Sequence, residues 1–153
     1  MNVLHTVPLR HLLEELTMVS QASPEPGATI LLVDDTEDLQ EVIGENLRDL
    51  GHTVLVASQG DEALRIVSEH PGQIHLLLTD VTMPGMHGPE LAERIAATHP
   101  EIRVIFMSGS GTEAMSHPGV VRAGGVVLEK PFTQAQLAKA VRDRLDAKKD
   151  IAP

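Results

Sequence analysis

Residues 74–88, IHLLLTDVTMPGMHG, constrain the fold more than any other stretch. The run begins apolar, broken only by His75, and stops at a single carboxylate, Asp80. A short apolar run bounded by turn signals fits a buried strand of a parallel sheet. Pro84 and Gly85 continue neither a strand nor a helix easily, so a loop follows. Asp80 is therefore predicted at the carboxyl end of a central strand, facing a loop. In open α/β sheets that edge is where ligands bind. A buried carboxylate without a partner is costly, so the rest of the chain must supply what accompanies it.

The flanking sequence alternates between two periods. Residues 29–33 are apolar and run into Asp34-Asp35. Thr36 is placed to cap a helix, and Glu37 and Asp38 suit its first turn. Leu39, Val42, Ile43, Leu47 and Leu50 recur at helical spacing, and Gly51 closes that helix. Residues 53–57 read as a second strand and 61–70 as a second helix, with Ala63, Leu64 and Val67 facing inward. A helix over 89–98 and a strand over 102–107 follow, the latter ending at Ser108-Gly109. A helix expected over 112–124 carries Pro118-Gly119 in its middle. An interior proline costs ~3 kcal/mol or more in a helix, so this one should be short, shifted or broken. Residues 125–128 read as a fifth strand, and Thr133 caps a last helix with Leu137, Ala138, Val141 and Leu145 on one face. Its end, Lys148-Lys149, suits the helix dipole. Five alternations of strand and helix with short loops call for a parallel sheet covered on both faces and joined by right-handed crossovers.

The ends of the chain read differently. Leu9, Leu12, Leu13, Leu16 and Val19 mark one face of an amphipathic helix within residues 1–20, with Pro8 in its first turn. That helix is expected to lie on the domain surface, to form a dimer or partner contact, or to fray. Residues 21–28, QASPEPGA, are a linker, and 148–153 a tail. With 12 basic against 22 acidic residues the formal charge is −10, which argues against a direct nucleic-acid surface. No cysteine is present, so disulfide and thiolate chemistry are excluded. No apolar run approaches the ~18 residues of a membrane span. Nor does the N-terminus read as a secretory signal, so a cytoplasmic location with no membrane contact is expected. The eight histidines show no zinc-type spacing.

Each oddly placed polar residue comes at or just after the end of a strand: Asp34 and Asp35 after the first, Asp80 at the third, Ser108 at the fourth, Lys130 at the fifth. In a parallel sheet these points share one edge. Three carboxylates gathered there repel one another. Either a raised pKa lets them share a proton, or a divalent cation neutralises them. Hard oxygen ligands favour Mg²⁺ or a similar ion. A cation, a lysine and a hydroxyl around a free carboxylate suit phosphoryl transfer, with Asp80 as the attacking group.

LLVDD with Asp34-Asp35, TDVTMPGMHG with Asp80, FMSG with Ser108 and EKPF with Lys130-Pro131 together resemble the receiver domain of bacterial two-component response regulators, over residues 29–147. The TDVTMPGMHGPELA stretch is similar to receivers of hybrid histidine kinases. The resemblance implies a flavodoxin-like, doubly wound sheet of order 2-1-3-4-5 with five helices, the fourth irregular here, plus the N-terminal helical extension. It implies a signalling module rather than an enzyme. Asp80 is then the phosphoacceptor, served by a phosphohistidine of a sensor kinase or phosphotransfer protein. Asp34, Asp35, Asp80 and the backbone carbonyl of Thr82 hold Mg²⁺, Ser108 bonds the phosphoryl group, Lys130 pairs with it, and Lys130-Pro131 is cis. No output domain is expected after residue 147, so an unidentified downstream protein or a second copy of the chain would receive the signal.

Two departures from the family pattern stand out. Three residues before the lysine, where receivers carry Tyr or Phe, this chain has Val127. Pro118-Gly119 interrupts the helix of the usual output face. Both favour an alternative class, a structural interaction module that no longer switches. A dedicated phosphatase on a related fold would need an aspartate at Thr82.

Overall fold

The computed structural model describes residues 27–147. The expected amphipathic helix of 1–20, the linker through residue 26 and the tail from 148 lie outside the described residues. Five strands alternate with helices: β1 Thr29–Val33, α1 Glu37–Asp49, β2 Thr53–Ala57, α2 Gly60–Glu69, β3 Leu76–Asp80, α3 Gly88–Thr98, β4 Arg103–Ser108, α4 Gly111–Met115, α5 Pro118–Arg122, β5 Val127–Glu129 and α6 Gln134–Asp146. All pairings are parallel and the sheet order is β2-β1-β3-β4-β5, the order implied by the family resemblance. β3 is buried along its whole length, as its apolar run requires.

The sheet separates two cores. Leu31, Val33, Leu77, Val104 and Phe106 point to the face covered by Ala63 and Val67 of α2, Leu91 and Ile95 of α3 and Val120 of α5. Ile30, Leu32, Leu76, Leu78, Ile105 and Met107 point to the other, against Ile43 and Leu47 of α1 and Leu137 and Val141 of α6. Alternate residues serve opposite faces because strand side chains have a period of two. Val42, expected in the apolar stripe of α1, is instead 54% exposed. Ile43 and Leu47 already fill the seam, and Val42 falls about 100° round the helix from Ile43.

The helix interrupted by Pro118 becomes two. Ser110 caps α4, its Oγ accepting from the Glu113 N–H, and His117 caps α5, its Nδ1 accepting from the Gly119 N–H. Pro118 then sits in the first turn of a new helix, where its missing N–H is harmless. β5 begins at Val127 rather than 125, because Gly124 and Gly125 turn through φ 113° and 69°. Thr133 and Gln136 form a reciprocal capping box at the start of α6. Thr36, by contrast, occupies the N-cap position of α1 without a side-chain cap. Asp34 Oδ1 accepts the N–H of Thr36 itself at 2.8 Å.

Candidate functional site

The acidic residues meet at the carboxyl edge of the sheet because β1 and β3 are neighbours in register, Val33 opposite Thr79. Asp34 directly follows β1, and Asp80 ends β3 one residue beyond that pair. Carboxylate oxygens of Asp34, Asp35 and Asp80 all lie within 4.8 Å of one another. Asp34 is fully buried and Asp80 nearly so, whereas Asp35 is exposed. β5 ends two strands away, and Lys130 reaches back across the edge. Its Nζ lies 2.5 Å from Asp80 Oδ1 and 3.3 Å from Asp34 Oδ2. The Lys130-Pro131 bond is cis.

The electrostatics follow from that crowding. Burial pushes the Asp80 carboxyl up, the Lys130 ammonium pulls it down, and the Asp34 carboxylate pushes it up again. The balance leaves it raised to about 7. Burial also works against the Lys130 charge, but its bonds to Asp80 and Asp34 outweigh this and hold it above its ordinary value. Three carboxylates against one ammonium leave surplus negative charge, and a raised Asp80 is how the pocket relieves it without a cation. Three hard oxygen donors, two of them poorly hydrated, also fit a small divalent ion such as Mg²⁺.

Ser108 ends β4 beside this cluster, but its hydroxyl is turned into its own loop. Oγ donates to the Ser110 carbonyl at 3.0 Å and accepts the Ser110 N–H at 3.1 Å. A Ser hydroxyl competes well for such local main-chain partners. Ser108 is therefore adjacent to the acidic cluster but not bonded to it. Thr82 is exposed on the loop after β3. Val127 is half-buried and packs on the core face with Phe106, its partner across the sheet.

Two residues that sequence reasoning passed over also shape the site. Gly88 opens α3, and a Cβ there would lie 2.0 Å from the Asp80 carbonyl oxygen. Only glycine lets the helix start so close to the end of β3. Its place after the Pro84-Gly85 loop gives no sign of that close approach. Gln40 bonds the main chain at Asp34 and the turn after β2. No sequence signal distinguishes it from a solvated helix residue.

A family model described as the response regulator receiver domain matches residues 30–142. The receiver protein CpdR of Brucella abortus is 31% identical over 118 residues, covering 77% of this chain and 97% of that protein. The sensor kinase CckA of the same organism is 38% identical over 120 residues. That match takes in 78% of this chain but 13% of the kinase. Likewise the chain spans only 25% of the transcriptional regulator NtrC of Azospirillum brasilense, at 33% identity. Among solved structures, a receiver domain protein from Clostridium thermocellum superposes with a TM-score of 0.70 at 28% identity, over 78% of this chain and 94% of that one. TrrA from Thermotoga maritima, solved in complex with Mg²⁺ and beryllofluoride, gives 0.68 at 27% identity, over 76% and 97%.

Proposed function

This chain belongs to the response regulator receiver domain family, and on that premise we propose that it accepts a phosphoryl group on Asp80 from a phosphohistidine of a sensor kinase or phosphotransfer protein. The convergence of Asp34, Asp35 and Asp80 with Lys130 on one sheet edge carries this reading. Asp80 is the only one of the three carboxylates that ends the central strand.

In the proposed reaction an Asp80 oxygen attacks phosphorus. The bond from phosphorus to the donor nitrogen breaks, and the imidazole leaves with its electron pair. Lys130, now on Asp80, pairs with the negative charge carried by the phosphoryl oxygens. Asp34, Asp35, Asp80 and the Thr82 carbonyl are the groups that would hold Mg²⁺. When bound, that ion supplies further neutralisation of the phosphoryl oxygens. Ser108 must exchange its bonds to Ser110 for one to the phosphoryl group, a rotation of one side-chain torsion between staggered positions. The output is a change in protein contacts.

Incubation with acetyl phosphate and Mg²⁺, followed by intact mass, tests this reading. A gain of one phosphoryl group, lost in Asp80→Asn, is expected. No gain in the wild-type chain would overturn it.

A second reading has its own observation. Val127 stands where the family carries an aromatic ring, and the helix before it is split into α4 and α5. In that reading the pocket is phosphorylated but the face over α4, α5 and β5 does not respond. Amide shifts over 108–132, with and without a beryllofluoride mimic at Asp80, separate the two. Shifts confined to the pocket support the non-switching form, and movement through α4 and α5 refutes it.

A further inference from the structure

Gln40 stands in the first turn of α1, its backbone N–H bonded to the Thr36 carbonyl. Its side-chain Nε2 donates to the Asp34 carbonyl and to Ser58 Oγ at 3.1 Å, and lies 3.5 Å from the Ala57 carbonyl. Main-chain carbonyls only accept hydrogen bonds, so the NH₂ end of the amide must face them. Two protons thus serve three oxygens. The Ala57 carbonyl also takes the Asp34 N–H at 3.2 Å, and the Ser58 N–H is held by Glu62 Oε1 at 2.8 Å. One amide therefore ties the end of β1 to the turn after β2.

The bond to Asp34 matters because of what shares its plane. The Asp34 carbonyl and the Asp35 N–H belong to one rigid peptide unit. Gln40 fixes that unit on the N-terminal side of Asp35. The unit on its C-terminal side is fixed by the Thr36 N–H on Asp34 Oδ1. Asp34 and Asp80 are also anchored by Lys130. The Asp35 carboxylate is exposed and has no hydrogen bond or ion pair among the described residues. What the structure fixes is the main chain that carries it, and so the region its short side chain can reach.

We infer that Gln40 is a positioning residue for the Asp34-Asp35 pair, holding the peptide that joins them so that Asp35 is presented to a divalent cation where Asp34 and Asp80 converge. This rests on the reading of the pocket as a cation and phosphoryl site. Bonds of this outer kind orient metal ligands, and removing one costs ~10–100-fold in metal affinity or activity.

The test is a Mg²⁺ titration of the full chain, read from the amide shifts of Asp34, Asp35 and Asp80, with thermal melts alongside. Gln40→Leu removes the donors, and Gln40→Arg keeps N–H donors within reach of the same oxygens. Gln40→Leu should weaken Mg²⁺ binding by about 10-fold, and Gln40→Arg should recover most of it. If Gln40→Leu does not fold, Gln40→Glu takes its place, setting acceptor oxygens against the carbonyls. Wild-type affinity in the donor-less variant, or a folded Gln40→Arg with no recovery, overturns the assignment. Absence of any Mg²⁺ shift in the wild-type chain overturns the cation site itself, and is distinguishable because it precedes any substitution.

Discussion

Lys130 holds together a pocket that would otherwise carry three adjacent carboxylates, bonding the two buried ones at once. Lys130→Met leaves the hydrocarbon but removes the charge. Asp80 should then titrate higher than about 7, because the Lys130 pull on it is lost while burial and Asp34 remain. Phosphorylation by acetyl phosphate should slow by on the order of 100-fold, the usual loss when one charge-stabilising donor is removed. Intact mass against time measures the rate, and an unchanged rate would count against a role for Lys130 in the reaction. The meeting of Asp34, Asp35, Asp80 and Lys130 could be read from sequence because each ends or follows an apolar strand. Ser108 could be placed the same way but not oriented, since its hydroxyl can turn to its own backbone instead of the pocket.

At the scale of elements, two threonines in equivalent positions behave differently. Thr133 makes both halves of a capping box with Gln136, at 3.0 and 2.8 Å. Thr36 makes no side-chain cap, and its own N–H is held by Asp34 Oδ1. Thr133→Ala should cost about 1 kcal/mol of unfolding free energy, the usual value for a lost cap. Thr36→Ala should cost clearly less, and urea denaturation of the two variants compares them. Equal losses would mean that Thr36 caps in solution. The sequence marked both as caps by residue type, but whether each hydroxyl turns to its helix end shows only in three dimensions. Pro118 was legible as a break. The restart behind it was not, because His117 is not among the common capping residues.

For the whole molecule, the buried acidic pocket costs stability as pH rises. Asp80 has its pKa raised from 3.8 to about 7 by folding. The folded state therefore binds the proton more tightly, and this contribution to stability is full below 3.8 and lost as pH rises through about 7. His52 works the other way. Burial, then His75, lowers its pKa from the ordinary 6.5, so its contribution is present above 6.5 and is lost as pH falls through the lowered value. The His52 contribution is common to wild type and Asp80→Asn and cancels between them. Without divalent cation, Asp80→Asn should melt above wild type at pH 8, by several degrees, and the gap should close as pH falls toward 4. Melting curves across that range check it, and a gap independent of pH would refute a buried, charged Asp80. The order of strands and helices was determined by the sequence alone, because periodicity, caps, prolines and glycines act over a few residues. So was the gathering of Asp34, Asp35, Asp80 and Lys130 at one edge, since parallel strands bring their carboxyl ends together. Only the tertiary structure decided that Gly88 must clear the Asp80 carbonyl, that Gln40 reaches Ser58 across eighteen positions, and that Ser108 faces its own loop. Those outcomes depend on ångström distances between separate elements, and no local pattern in a chain records them.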